Sequence, residues 1–129
     1  MSDLNTLHNR VVWFDIAVND LKRATQFYAK VLGIAVHVES HEGFEFAVLD
    51  HTEGNGGCLV PTDDPINTNN AVLLYLNVDG RIEEAVSQVV EWGGEILEPI
   101  HAIGPYGRRA IIIDSEGNRV ALHTTNDSQ

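Results

Sequence analysis

The stretch Gly107–Val120 reads GRRAIIIDSEGNRV, and Gly43–Gly57 reads GFEFAVLDHTEGNGG. Both run Gly-x6-Asp, from Gly43 to Asp50 and from Gly107 to Asp114. Both then enter a near-identical turn, Thr52-Glu53-Gly54-Asn55 and Ser115-Glu116-Gly117-Asn118, offset by 115 − 52 = 63 residues. Upstream, Val18-Asn19-Asp20 and Asn77-Val78-Asp79 each precede an apolar-periodic segment. Self-similarity at a fixed spacing means one supersecondary unit used twice. Two sheets built this way are expected to face each other, with a ligand in the space between them.

Working outward, Val11 to Val18 has a strand's composition. Asp20 then offers an N-cap to a helix whose apolar face is Leu21, Ala24, Phe27, Tyr28, Val31 and Leu32, and Gly33 stops it. Strands follow at Ile34–Glu39, Phe44–Leu49 and Gly57–Val60. The segment Asp50–Gly56 reads as a hairpin in which Gly and Asn supply positive φ. After a Pro- and Asn-rich linker the order repeats. Val72–Val78 is a strand, and Arg81–Trp92 a helix with Ile82, Ala85, Val86, Val89 and Val90 on its apolar face, closed by Gly93-Gly94. Glu95–Leu97, Ala110–Ile113 and Arg119–Thr124 are strands. The fold class is α+β, two β-α-β-β-β modules. The chain reads as one domain over 1–129, with module one at about 10–60, a linker at about 61–70 and module two at about 71–124.

Composition narrows the function. The 129 residues carry 19 Asp+Glu against 8 Lys+Arg, a net charge of −11. No cluster of cations is available for phosphate backbones, so no nucleic-acid partner is expected, and an anionic membrane surface would be repelled. A cationic or neutral small molecule suits this balance better. One cysteine, Cys58, rules out an internal disulfide, and the polar N-terminus shows no secretory h-region; a cytoplasmic location is expected. No apolar run reaches the roughly 20 residues of a membrane span.

Strand parity assigns faces. Val12, Phe14, Ile16 and Val18 should pack under the first helix, leaving Val11, Trp13, Asp15 and Ala17 opposite. Val72, Leu74, Leu76 and Val78 should pack under the second helix, leaving Leu73, Tyr75 and Asn77. In the last strand Val120 and Leu122 are core, leaving Arg119, Ala121 and His123. The expected ligand-binding residues are therefore Trp13, Asp15, Tyr75, Asn77, Arg119 and His123. Arg108 and Arg109 fall in a loop entering a strand and are expected to pair with surface carboxylates, the alternative being that they gate the cavity. His37, His41, His51 and His101 lie in or beside loops and are expected to be solvated.

The segment Asp20-Leu21, Arg23-Ala24, Phe27-Tyr28 closing on Val31-Leu32-Gly33 resembles the first module of the vicinal oxygen chelate superfamily, which holds glyoxalase I, extradiol dioxygenases, fosfomycin-modifying enzymes and bleomycin-resistance proteins. The ending from Tyr106 to Val120 is similar to a glyoxalase-related branch of it. The resemblance covers residues 10–124 and implies paired half-barrels. In members that use a metal, four equivalent strand positions hold it, and here these correspond to Trp13, Cys58, Leu73 and Ala121. Trp, Leu and Ala cannot coordinate a divalent ion, and one thiolate is not a site. No metal and no other cofactor is therefore expected, and whether any reaction is catalysed stays open.

The reading is a glyoxalase/bleomycin-resistance-like homodimer binding a small organic molecule between its sheets. One alternative is a metal-dependent lyase or dioxygenase with displaced ligands drawn from Asp15, Cys58 and His123. In the absence of metal, Asp15 would instead pair with Arg119 or Tyr75, and His123 would hydrogen-bond near a strand end. A second alternative is a non-catalytic interaction subunit with a filled cavity.

Overall fold

A computed structural model describes residues 9–125. Its elements are β1 (Val11–Val18), α1 (Leu21–Leu32), β2 (Val36–His41), β3 (Phe44–Leu49), β4 (Gly56–Pro61), β5 (Val72–Asn77), α2 (Ile82–Glu91), β6 (Glu95–Ala102), β7 (Arg108–Ile113) and β8 (Arg119–Thr124), with a 3-10 turn at Gly104–Tyr106. This is β-α-β-β-β twice, as the repeat requires. The chain forms two compact units. One is Trp13–Leu73; the other joins the segment before Trp13 to the chain from Leu74 onward. Among the described residues no helix is long and apolar enough to cross a membrane.

In the first unit β2 and β4 flank β3 as antiparallel neighbours, and β1 runs parallel to β4. Asp20 caps α1: its backbone is extended and its Oδ1 accepts from Arg23 N–H at 3.0 Å. Gly33 ends the helix at φ 67°, a left-handed conformation that costs glycine nothing, and donates to the Ala29 carbonyl. Val18, Ala47, Leu49 and Leu59 form the core, and Phe14, Ile16, Leu21, Ala24 and Tyr28 pack against it. The even-numbered set of β1 thus lies on the α1 side, as parity requires. Two details differ from expectation. β2 begins later and runs to His41, because Glu42 and Gly43 make a two-residue turn with both φ positive (52° and 84°). In the β3–β4 turn the positive φ falls on Thr52 (47°), not on Gly54 or Asn55.

In the second unit β5 runs parallel to β8, and β8–β7 and β7–β6 are antiparallel. The Asp20 echo has changed role here. Asp79 caps no helix; its Oδ1 accepts from Thr124 Oγ1 (3.0 Å), Thr125 N (2.6 Å) and Thr125 Oγ1 (3.0 Å), tying the chain ahead of α2 to the end of β8. α2 lies over β6, β8 and β7, and its buried anchor is Ile82. The burial expected for the α2 face of β5 is not seen. Val72 and Leu74, expected under the helix, are 50% and 40% exposed, whereas Leu73 and Tyr75 are 5% exposed. Leu74 and Leu76 do share the α2 face, since Leu76 pairs with Leu122 beside that helix, but α2 lies over β6, β7 and β8 and leaves Val72 and Leu74 uncovered.

β6 and β7 both extend beyond the sequence reading. β6 continues to Ala102 through two register shifts, between Ile96 and Glu98 and between Glu98 and His101. Bulges break the period of two, and Pro99 sits where a ladder donor is not needed. β7 starts at Arg108, so Arg108 and Arg109 belong to a strand and not to a loop.

Candidate functional site

On β1, Trp13 is half-buried and meets the His51 ring edge-on, with centroids 5.8 Å apart. Asp15 sits opposite Cys58 in the β1–β4 register, and its Oδ1 accepts from the Cys58 thiol at 3.2 Å. Burial, reinforced by the Asp15 charge, pushes the Cys58 thiol up to about 12. A proton held this firmly makes Cys58 a poor nucleophile.

The four positions that the family resemblance assigns to a metal therefore supply one protonated thiol and three side chains, Trp13, Leu73 and Ala121, that are not metal donors. This set does not fit a divalent ion. The displaced set fares no better. Asp15 is engaged by Cys58, and among the described residues no group of three or more His, Cys, Asp and Glu is placed to hold an ion.

The second unit carries a different arrangement. Asn77 is opposite His123, His123 opposite Arg109, and Arg109 opposite His101 in successive registers. Directly paired residues share a sheet face. Four polar side chains thus form one rung across β5, β8, β7 and β6. Tyr75, buried two residues before Asn77 on that face, joins it: Arg109 Nη1 donates to Tyr75 Oη at 2.5 Å, and the Tyr75 and His123 rings are 6.0 Å apart. Arg109 Nε donates to His101 Nε2 at 3.1 Å. His101 Nδ1 lies 2.9 Å from the Pro99 carbonyl and must be the N–H that donates to it, which leaves Nε2 as the acceptor Arg109 needs. His123 Nε2 lies 2.7 Å from the Tyr106 carbonyl. That bond fixes the N–H on Nε2 and turns Nδ1 into an acceptor. Gly107 makes this geometry available. It takes φ 97° and ψ −148°, and a Cβ there would overlap the Thr124 carbonyl oxygen.

Of the six residues expected to bind a ligand, Tyr75 and His123 are brought together, and His123 makes the strand-end hydrogen bond expected of it. Asn77 shares their rung, but its Oδ1 accepts from Asp79 N–H at 2.9 Å in a turn ahead of α2. Arg119 shares the face from the opposite end of β8, roughly 13 Å away for four residues at about 3.3 Å each. Trp13 and Asp15 belong to the other unit. His101 was missed, and Arg109 was expected on a surface carboxylate, with a cavity gate only as the alternative. Arg108 does pair with a carboxylate, Glu83 at 2.9 Å, as expected of it; Arg109 does not. His101 is not simply solvated, since both of its nitrogens are engaged. The available signal was parity: Arg109 and Ile111 share a face, and Ile111 pairs with Ala121.

The repeat makes the asymmetry plain. Register equates the pair Tyr75 and Ala121 with Asp15 and Cys58, and the polar rung with Ala17, Val60, Phe46 and Glu39. The same rung is mostly apolar in module one. A cleft of about 350 Å³ lies on the other face of the second sheet, beside α2, and is lined by Val89, Trp92, Ile112 and Leu122. Its polar groups are already satisfied: Arg81 pairs with Glu84, Gln88 Oε1 accepts from Trp92 Nε1, and Asp114 accepts from the Glu116 and Asn118 amides. The rung, with donors to spare, is the better site.

Comparison with known proteins agrees with this architecture. The chain is 26% identical over 118 residues to the protein named "Putative glyoxylase CFP32" in Mycobacterium bovis and Mycobacterium tuberculosis; the match takes in 88% of this chain but 45% of theirs, so the chain spans about half the length of these relatives. Among solved structures, methylmalonyl-CoA epimerase from Mycobacterium tuberculosis superposes with a TM-score of 0.66 at 18% identity, over 95% of this chain and 92% of that one. A glyoxalase/bleomycin resistance protein/dioxygenase superfamily member from Vibrio splendidus 12B01 gives 0.66 at 17% identity, over 89% and 97%. At such identities the likeness is one of fold. The profile of the Glyoxalase/Bleomycin resistance protein/Dioxygenase superfamily matches residues 10–122, and the chain belongs to that superfamily.

Proposed function

We propose that this protein binds a small organic molecule on the β5–β8–β7–β6 face carrying Tyr75, His123, Arg109 and His101, without the metal used elsewhere in the superfamily. The observation that carries the reading is the polar rung set over buried Tyr75. Binding sites for small molecules combine apolar area with a few convergent, oriented polar groups. Here Tyr75 and Ala121 supply the buried floor, and the hydrogen bonds to Pro99 and Tyr106 fix which nitrogen of each imidazole carries the proton. Binding without that metal is supported by the donor set. Cys58 keeps its proton against Asp15, and the other three positions are Trp13, Leu73 and Ala121.

The test is chemical-shift mapping with a mixed library of neutral and charged organic fragments on untagged, chelator-treated protein. Fragments should perturb Tyr75, Ala121, His123, Arg109 and His101 together and saturably, with no added metal. If no fragment shifts these residues, or if binding appears only after a divalent ion is restored, the proposal fails.

A further inference from the structure

Resting on that reading, we infer that the molecule bound at the polar rung carries a carboxylate, received by the guanidinium of Arg109. A guanidinium has five N–H donors and no acceptor. Arg109 spends one on His101 Nε2 and one on Tyr75 Oη, both neutral groups. Three donors remain, two of them on Nη2. Among the described residues no carboxylate comes within ion-pair distance of Arg109, whereas Arg23, Arg81 and Arg108 each have one. Glu98 lies 3.8 Å from His101 Nε2, beyond hydrogen-bond range.

Arg109 is half-buried, so its charge is partly removed from water without an opposite charge to offset it. The two neutral acceptors hold the guanidinium plane in place, with its Cζ 5.8 Å from the Tyr75 ring centroid. A planar, charged fork positioned by two bonds and keeping three open N–H donors is matched by a planar carboxylate, which can accept two parallel N–H bonds. His123 borders the same position, and its Nδ1 is an acceptor. It can take a hydrogen bond from a donor beside the carboxylate, but it adds no second negative charge.

The inference runs against the chain's overall balance of −11, which by itself favours a cationic or neutral ligand. The two facts act at different ranges. Surface charges are screened over about 8–10 Å in physiological salt, whereas a contact inside a half-buried site is screened much less. Local complementarity therefore decides what is held. The site is also confined to one module, because the position equivalent to Arg109 is Phe46.

The experiment compares matched probes that differ in charge alone: phenylacetate with phenylacetamide, and benzoate with benzamide. Affinities are measured by ligand titration of the full chain, with the Arg109 Nε–H resonance followed in parallel. A charge-assisted bidentate contact should favour each carboxylate over its amide by about tenfold or more. Arg109→Gln should bring each pair to equal affinity, and Arg109→Lys should retain only part of the preference. Arg23→Gln, an equal change in net charge on exposed α1, should leave the preference intact. Equal binding of acid and amide by the unaltered protein overturns the carboxylate assignment while leaving the small-molecule site standing. Tighter binding of the amides, or a preference that survives in Arg109→Gln, overturns it as well. If neither the probes nor any library fragment shifts the rung, both readings fall.

Discussion

Replacing Tyr75 with Phe isolates the link on which the candidate site depends. Tyr75 is 5% exposed, and its hydroxyl receives the Arg109 Nη1 donor at 2.5 Å. Phenylalanine keeps the ring, so no cavity opens, and the loss is confined to the hydroxyl. A hydrogen bond to a charged group contributes about 1.5–3 kcal/mol. Arg109 is only half-buried, so water can replace part of this, and the lower figure of about 1.5 kcal/mol applies. For a domain of this size a kilocalorie moves Tm by about 3–5 °C, so Tyr75→Phe should melt roughly 5–7 °C below the parent. Arg109→Gln should lose at least as much, because it removes the same bond together with the one to His101. The double variant should then cost about 1 kcal/mol less than the two singles added together, since residues sharing one bond are not independent. Urea denaturation of the four proteins measures the cycle directly. If Tyr75→Phe melts within about 1 °C of the parent, or the two changes add to within about 0.3 kcal/mol, the Tyr75–Arg109 bond does not organise this face.

Cys58 should resist iodoacetamide at pH 8 in the folded protein and react once urea exposes it, because its thiol is pushed up to about 12. The same shift sets a pH dependence. Between about 9 and 12 the unfolded thiol loses its proton while the folded one keeps it, so stability falls as pH rises, by about 1.4 kcal/mol per unit. That component should vanish in Cys58→Ala, seen as a flatter stability profile above pH 9. Gly107→Ala forces a side chain into a glycine-only conformation and against the Thr124 carbonyl. It should destabilise by about 2–4 kcal/mol in thermal melts and release the His123 bond to Tyr106, seen as a change in the His123 imidazole nitrogen shifts. Exposed Phe27, Val31 and Leu32 on α1, and Val90 and Trp92 at the end of α2, leave apolar surface that a second copy could cover. Sedimentation at micromolar concentration should therefore give the dimer mass, and a monomer throughout that range would contradict it.

Much of the fold was legible in the sequence because its signals are local or periodic. β1, β3 and β8 match residue for residue, since each is an unbroken run between turn residues. α1 is bounded by Asp20 and Gly33, whose side chain and positive φ act within one turn of the helix. The repeated Ser/Thr-Glu-Gly-Asn turn was enough to show that one unit is used twice, and hence to point to the family. Parity placed Tyr75 and His123 on one face of β5 and β8, and the family resemblance put Trp13, Leu73 and Ala121 where metal donors would be needed.

The polar rung was decided only by tertiary structure. β6 hides its strand character behind two bulges and Pro99, so His101 looked like a loop residue. Arg108 and Arg109 begin β7 next to a glycine turn, and only pairing with β8 tells which of the two faces Glu83 and which faces Tyr75. Asn77 had the right parity, yet the turn to Asp79 claimed its side chain, and Asp79 itself bonded to Thr124 and Thr125 instead of capping a helix. Capping, turns and alternation act over a few residues and can be read along the chain. A rung whose members come from residues 77, 101, 109 and 123 depends on the register of three strand pairings, and register is set by the packing of the whole sheet.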